Sequence, residues 1–155
     1  MTGHGTFIWN ELYTDDPRKA CDFYASLLGW RFEEMKGPEG VYRVAKQGER
    51  PVAGIFEMKG KHFEGVPPHW LAYIGVDDID KRVAAARQAG AQVIREPFDV
   101  EGVGRIAILK DAVGALIAWM TPVAAENAYR PTTHGTFKNP RKRARPPRIG
   151  APFSA

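Results

Sequence analysis

The pattern of apolar and polar positions predicts a strand and then a helix at the start of the chain. The segment Phe7–Tyr13 is rich in aromatic and β-branched residues, which is typical of a strand. Asp16 and Pro17 follow, a pair that favours a helix N-terminus because the side chain caps it and the proline fits its first turn. Apolar residues then recur at helical spacing until Gly29, which predicts three helical turns with one apolar face. That face comprises Ala20, Phe23, Tyr24, Leu27 and Leu28.

The same order of elements occurs a second time. Strands are predicted at 30–34, 40–46 and 51–58, and a loop at 59–68 ends the first half. A strand at 70–76 opens the second half, Asp77 and Asp78 cap its helix, and Gly90 ends that helix. Strands at 91–96, 103–110 and 115–121 complete it. Aligning the capping acids gives a period of 62 residues, so we predict two βαβββ modules, at about 5–66 and 67–122.

This order of elements predicts an α+β fold of one domain, residues 1–122, with a mixed sheet that curls into a cup-shaped barrel. Both helices lie outside, which leaves the other sheet face concave. A concave, partly apolar face is where a small-molecule site is expected. A barrel filled by its own side chains remains the alternative.

Charge is concentrated in a C-terminal tail, residues 123–155. The tail holds seven of the 22 basic residues and one of the 18 acidic residues, so its net charge is +6 and that of residues 1–122 is −2. The domain surface is therefore not typical of nucleic-acid binding. The proline-rich tail is expected to have little structure of its own and to make, at most, weak contacts with nucleic acid or acidic surfaces.

Cysteine content and hydropathy predict a cytoplasmic protein without a membrane span. Cys21 is the only cysteine, so no internal disulfide can form, which fits a reducing compartment. No apolar stretch approaches the roughly 20 residues that a spanning helix needs.

Two motifs make the chain resemble the vicinal oxygen chelate superfamily, which includes glyoxalase I, bleomycin-resistance proteins, fosfomycin-resistance enzymes and extradiol dioxygenases. One is the helix end Phe23-Tyr24 with Leu27-Leu28-Gly29-Trp30, and the other is the turn Asp111–Gly114 before the last strand. The resemblance covers residues 5–122 and implies the cup fold. It does not imply one function, because the superfamily contains lyases, transferases, dioxygenases and proteins that only bind. It also leads us to expect a homodimer.

The opening residues resemble one branch of that superfamily, in which many members have two domains in tandem. The branch begins like His4–Asp15 here, and the first four residues of this motif occur again as His134–Phe137. A diverged second copy and a chance match both stay open.

The resemblance implies metal-ligand positions that this chain does not fill with ligands. They fall on Trp9, on Gly54 or an immediate neighbour, on Leu71 and on Ala118. A shift of register would offer Glu57, and a displaced site would offer Glu11 and His69. Neither alternative supplies the three protein ligands that a catalytic zinc site generally has. We therefore expect neither a metal nor another cofactor.

Alternation along the strands predicts the residues that face the cup. Phe7, Trp9, Glu11 and Tyr13 should face inward on the first strand, with Ile8 and Leu12 facing the helix. Glu11 is the candidate catalytic residue, because burial disfavours the charged form of a carboxylate. Alternatively, Glu11 is purely structural. The candidate ligand-binding residues are Trp9, Tyr13, Tyr42, His69, Tyr73 and Arg105.

Three functional hypotheses follow. The first is a metal-independent protein that binds a small aromatic or polar-aromatic molecule, resembling glyoxalase and bleomycin-resistance proteins. The second is a lyase or isomerase of this superfamily with Glu11 as general base. The third is a protein- or nucleic-acid-interaction module that acts through the tail.

Overall fold

The computed structural model describes residues 3–37 and 40–123. The first module consists of β1 (Phe7–Thr14), α1 (Pro17–Leu28), β2 (Arg31–Gly37), β3 (Gly40–Gln47) and β4 (Arg50–Glu57). The second consists of β5 (His69–Gly75), α2 (Ile79–Gln88), β6 (Gln92–Val100), β7 (Gly104–Lys110) and β8 (Leu116–Pro122). A short 3₁₀ helix, Lys61–Phe63, lies in the connection between them. The predicted α+β class and the predicted order of elements are confirmed.

All eight strands form one mixed sheet, in the order β2-β3-β4-β1-β5-β8-β7-β6. The modules meet where β1 pairs with β5 in antiparallel orientation. On either side of this junction lies a parallel pair, β1 with β4 and β5 with β8. The edge strands β2 and β6 do not pair with each other, so the barrel is open.

The two helices begin in the same way. The Asp16 carboxylate accepts a hydrogen bond from the Lys19 backbone N–H at 2.9 Å, and Asp78 accepts one from Lys81 at 3.1 Å. These contacts satisfy N–H groups that have no partner within the helix. Gly29 ends α1 in the left-handed conformation, at φ 68°. The predicted capping pattern is therefore confirmed in both modules.

The concave face of the sheet holds the main core. Residues from both modules are buried in one cluster, which spans the junction of the modules at β1 and β5. The cluster contains Tyr13, Phe56, Met58, Phe63, Leu71, Tyr73, Val100, Ile106, Ile108, Ala118 and Met120. A smaller cluster, which includes Ile79 and Val83, packs α2 against the other face.

A bulge at the start of β1 changes the predicted alternation. The pairing with β5 shifts between Phe7 and Trp9. Phe7, predicted to face the cup, is 68% exposed. Ile8, predicted to face the helix, packs against the concave core. An extra residue in one strand reverses the side on which the residues before it point, so the prediction was wrong at these two positions.

Helix α1 leaves much of its predicted apolar face uncovered. Phe23, Leu27 and Leu28 are 55%, 64% and 50% exposed, whereas α2 buries Ile79, Val83 and Ala86. Next to them, Trp70 on β5 donates a hydrogen bond from its indole N–H to the Tyr24 hydroxyl at 3.1 Å. We call Phe23, Leu27, Leu28 and Trp70 the α1 surface.

Neither helix in the described ranges has the length and apolar character needed to cross a membrane. The basic tail and the repeated motif His134–Phe137 lie outside the residues that the structure describes.

Candidate functional site

Glu11 occupies the middle of the sheet. It lies opposite Gly54 on β4 and opposite Leu71 on β5, so its strand is paired on both sides. Its side chain faces the concave core and only 7% of the residue is exposed. A carboxylate in such a position is costly unless hydrogen-bond donors surround it.

Two tyrosines supply those donors. The hydroxyls of Tyr13 and Tyr73 each donate a hydrogen bond of 2.6 Å to the same oxygen of Glu11, Oε2. Tyr13 follows Glu11 by two residues and shares its face of β1, and Tyr73 comes from the neighbouring strand β5. The two hydroxyl oxygens are 3.4 Å apart. Short hydrogen bonds to a carboxylate are stronger than those between neutral groups and fix its orientation.

A third tyrosine and a tryptophan border the same carboxylate. Tyr42 of β3 interacts with Glu11, and its hydroxyl accepts a hydrogen bond of 3.2 Å from the Trp9 indole N–H. Tyr42 reaches this position because β4 has a glycine there: a Cβ on Gly54 would lie 1.7 Å from the Tyr42 hydroxyl oxygen. We call Glu11, Tyr13, Tyr42 and Tyr73 the carboxylate–tyrosine cluster.

Burial raises the pKa of all three tyrosines well above the ordinary value, and the Glu11 carboxylate adds to the shift. Loss of a phenol proton would place a second negative charge next to the first in a region of low dielectric. The phenols therefore remain protonated at neutral pH, and each has a proton to donate to Glu11 or to a ligand.

His69 lies beside this cluster. Its ring stacks on Tyr13 with 5.3 Å between centroids and an interplanar angle of 7°. Its Nδ1 lies 2.9 Å from the carbonyl oxygen of Pro67, to which an N–H at that position donates. The structure thus brings together five of the six predicted ligand-binding residues, and Glu11 lies among them.

Arg105 lies elsewhere. Its guanidinium pairs with Asp80 of α2 at 3.0 Å and with Asp99 at 3.2 Å. The neighbouring residue Ile106 faces the concave core, so alternation turns Arg105 to the helix side. Arg105 is therefore the one predicted ligand-binding residue that the structure does not place beside the carboxylate–tyrosine cluster.

Arg95 is the residue that the sequence reasoning missed. It pairs with Ile108, a residue of the concave core, and its guanidinium carbon lies 3.5 Å from the centroid of the Phe98 ring. The register of β6 shifts on both sides of Arg95, which hides its orientation from simple alternation. Pro97 was the available signal, because proline within a strand is typical of an edge or a bulge.

The residues present do not fit the metal that the resemblance implies. Trp9 lies opposite Tyr73, and Tyr73 lies opposite Ala118. Gly54 and Leu71 both lie opposite Glu11. The four ligand positions thus surround the carboxylate–tyrosine cluster, yet none of the four side chains can coordinate a metal.

The alternative ligands do not complete a site either. Glu57 pairs with Lys59 at 3.0 Å and alternates with Phe56, which faces the concave core. Within residues 3–37 and 40–123, no three His, Cys, Asp or Glu residues are grouped as a metal site requires.

A family model matches most of the chain, and a solved structure shares its fold. The family model described as the Glyoxalase/Bleomycin resistance protein/Dioxygenase superfamily matches residues 6–118. The methylmalonyl-CoA epimerase of Mycobacterium tuberculosis has a similar structure, with a TM-score of 0.55 and 18% sequence identity. That match covers 80% of this chain and 93% of the epimerase. At this identity, the likeness concerns the fold.

Two curated relatives are closer in sequence. The protein named "Putative glyoxylase CFP32" of Mycobacterium bovis is 44% identical over 119 residues, which are 76% of this chain and 44% of that protein. "Anthracycline biosynthesis protein DnrV" of Streptomyces peucetius is 30% identical over 126 residues, which are 74% of this chain and 46% of that protein. The chain therefore spans less than half the length of either relative.

The raised tyrosine pKa values predict how stability depends on pH. Above about pH 10, tyrosines ionise in the unfolded chain while the cluster retains its protons in the folded protein, so the free energy of unfolding falls. Each such tyrosine contributes up to about 1.4 kcal/mol per pH unit until its folded-state pKa is reached. Denaturant unfolding at a series of alkaline pH values measures this slope. Tyr73→Phe should reduce it by one tyrosine's share, and an unchanged slope would contradict the assignment.

Proposed function

The chain belongs to the glyoxalase/bleomycin resistance protein/dioxygenase superfamily, and from this premise we propose that it binds a small aromatic or polar-aromatic molecule in its concave cup without the superfamily's usual metal. The observation that carries the proposal is the carboxylate–tyrosine cluster. The cluster lies among the four positions at which the resemblance implies metal ligands. In place of a metal, it offers a ligand hydrogen-bond donors and aromatic surface.

Burial along the cup indicates where the ligand binds. Glu11, Tyr13 and Tyr73 are buried, whereas Trp9 and Tyr42 are only partly buried. Side chains of the core occupy the deeper part of the concave face. The ligand therefore contacts the rings of Trp9 and Tyr42 first, and its polar groups exchange hydrogen bonds with the hydroxyls behind them.

The polar character of the cluster favours a ligand over simple filling of the cup. A protein that had only to fill this space would gain more stability from aliphatic side chains, since a buried polar group at best recovers the cost of its desolvation. A few polar groups in an apolar site are, however, what orients a bound molecule.

A lyase or isomerase that uses Glu11 as general base is the second candidate. The observation that favours it is the buried carboxylate next to phenols that can donate protons. A base must lie within hydrogen-bond reach of the substrate proton. Here Oε2 already accepts two hydroxyls, so a substrate would have to displace one of them to reach that oxygen. We therefore favour ligand binding over catalysis as the function.

Ligand binding and metal dependence are tested together. A thermal-shift screen of aromatic compounds, confirmed by calorimetry, should yield ligands whose affinity is unchanged by chelators. Trp9→Ala should weaken binding about tenfold or more, because one aromatic contact contributes on the order of 1–3 kcal/mol. Phe7→Ala is the matched control, since Phe7 is on the same strand but is 68% exposed and points away from the concave core.

The outcome also separates the two candidates. A stoichiometric metal in the purified protein, or loss of binding with chelators, would contradict metal independence. Conversion of the ligand would be seen by mass spectrometry. If the natural sequence converts the ligand and Glu11→Gln binds it without conversion, the protein is a lyase or isomerase rather than a binding protein.

We also propose a homodimer that is formed through the α1 surface by a second copy of the chain. The exposed residues of this surface are apolar and uncharged, so it can meet a copy of itself about a twofold axis without burying an unpaired charge. The aligned residues are less than half of each curated relative, so each relative has a further segment of similar length. In this chain, a second copy would bury the α1 surface instead. A cytoplasmic location and weak acidic or nucleic-acid contacts of the tail also remain proposals.

Light scattering after size-exclusion chromatography tests the dimer. The natural sequence should elute with twice the mass of the chain, and Leu27→Glu should be monomeric, because a charge would enter an apolar contact. Val113→Glu, in the exposed turn before β8, should remain dimeric. A natural protein that is monomeric at all concentrations would refute the dimer.

A further inference from the structure

A positively charged side chain shares the concave face with the carboxylate–tyrosine cluster. Arg95 lies opposite Ile108 and Phe98 lies opposite Ile106. Both isoleucines belong to the concave core, and directly paired residues of neighbouring strands share a face. The register therefore turns Arg95 and Phe98 into the cup.

Paired positions connect this arginine to the proposed ligand site. From Arg95 the row passes through Ile108 on β7, Ala118 on β8 and Tyr73 on β5 to Trp9 on β1. Neighbouring strands are about 4.8 Å apart, so the row spans at most about 19 Å when measured along the sheet. Trp9 and Arg95 lie at its two ends, and the buried residues Ile108, Ala118 and Tyr73 form the floor between them.

The charges of Glu11 and Arg95 act on Tyr73 in opposite directions. Its hydroxyl donates to Glu11 at 2.6 Å, and the Glu11 charge raises its pKa, while the Arg95 charge lowers it. The cup is therefore polarised along the row, with a carboxylate on the Trp9 side and a guanidinium on the far side.

The Arg95 guanidinium is also held in place. It stacks on the Phe98 ring, with 3.5 Å between the guanidinium carbon and the ring centroid. A planar, stacked guanidinium keeps its hydrogen-bond donors at the edge of the plane and loses little further freedom when an anion binds. Arginine is suited to carboxylates because two parallel N–H groups match the two oxygens.

We propose that the ligand carries an anionic group, a carboxylate, that Arg95 binds while the aromatic part of the ligand contacts Trp9 and Tyr42. This inference rests on the proposed function and specifies the ligand class. The Glu11 carboxylate repels an anion at its own end of the row, so the anionic group is directed to the arginine. The competing explanation is that Arg95 only offsets the buried charge of Glu11.

Matched pairs of probes test the charge requirement. We would measure by calorimetry the affinities of 4-hydroxybenzoate and 2-naphthoate and of their neutral amides, 4-hydroxybenzamide and 2-naphthamide. Each carboxylate should bind about tenfold or more tightly than its amide, since a charge-assisted pair contributes on the order of 1.5–3 kcal/mol. Arg95→Gln should abolish this preference, and Arg95→Lys should retain part of it. Arg105→Gln, on the helix side, should leave it unchanged.

Each other outcome has a definite meaning. If carboxylates and amides bind equally well and Arg95→Gln changes neither, the inference fails while the proposed function stands. If Arg95→Gln lowers the melting temperature but the preference for carboxylates persists, Arg95 serves only to offset Glu11, and the inference fails. If neither pair binds and the screen of aromatic compounds yields no ligand, the proposed function fails together with the inference. If neither pair binds but the screen yields neutral ligands, only the inference fails.

Discussion

The hydrogen bonds from Tyr13 and Tyr73 to the buried carboxylate of Glu11 are the constraint on which the concave face depends. A carboxylate in the middle of an eight-stranded sheet cannot remain there without donors. Those donors come from both modules, since Tyr13 lies on β1 and Tyr73 on β5. The carboxylate thus joins the two halves of the molecule where they meet. Gly54 is part of the same arrangement, because it gives the ring of Tyr42 its space.

The two modules hold their helices in different surroundings. Both begin with an aspartate cap, but α2 buries its apolar residues against the sheet, while α1 leaves Phe23, Leu27 and Leu28 exposed. Local sequence sets where each helix begins and ends, and tertiary contacts set what its outer face meets. The exposed face of α1 and the polarised cup lie on opposite sides of the sheet. The proposed association of two chains and the proposed binding of a ligand would therefore use separate surfaces.

Sequence alone predicted the features that depend on local patterns. The bounds of α1 follow from Asp16, Pro17 and Gly29, and regular alternation on β1 and β5 brings Trp9, Glu11, Tyr13 and Tyr73 to one face. Bulges caused the errors. One extra residue moved Phe7 out and Ile8 in, and the shifts around Arg95 on β6 concealed the arginine that faces the cup. The sequence pattern also gave no sign that three phenols converge on one carboxylate, because that depends on register across strands.

The most direct test of this account is a double-mutant cycle between Glu11 and Tyr73, with the free energy of unfolding measured for the natural sequence, Glu11→Ala, Tyr73→Phe and the double variant. The account predicts a coupling of about 1.5 kcal/mol or more, as expected for a hydrogen bond to a charged group. Tyr24→Phe, on the outer side of the sheet, should show no coupling to Glu11→Ala. Additive effects of Glu11→Ala and Tyr73→Phe would contradict the claim that the carboxylate–tyrosine cluster organises the cup.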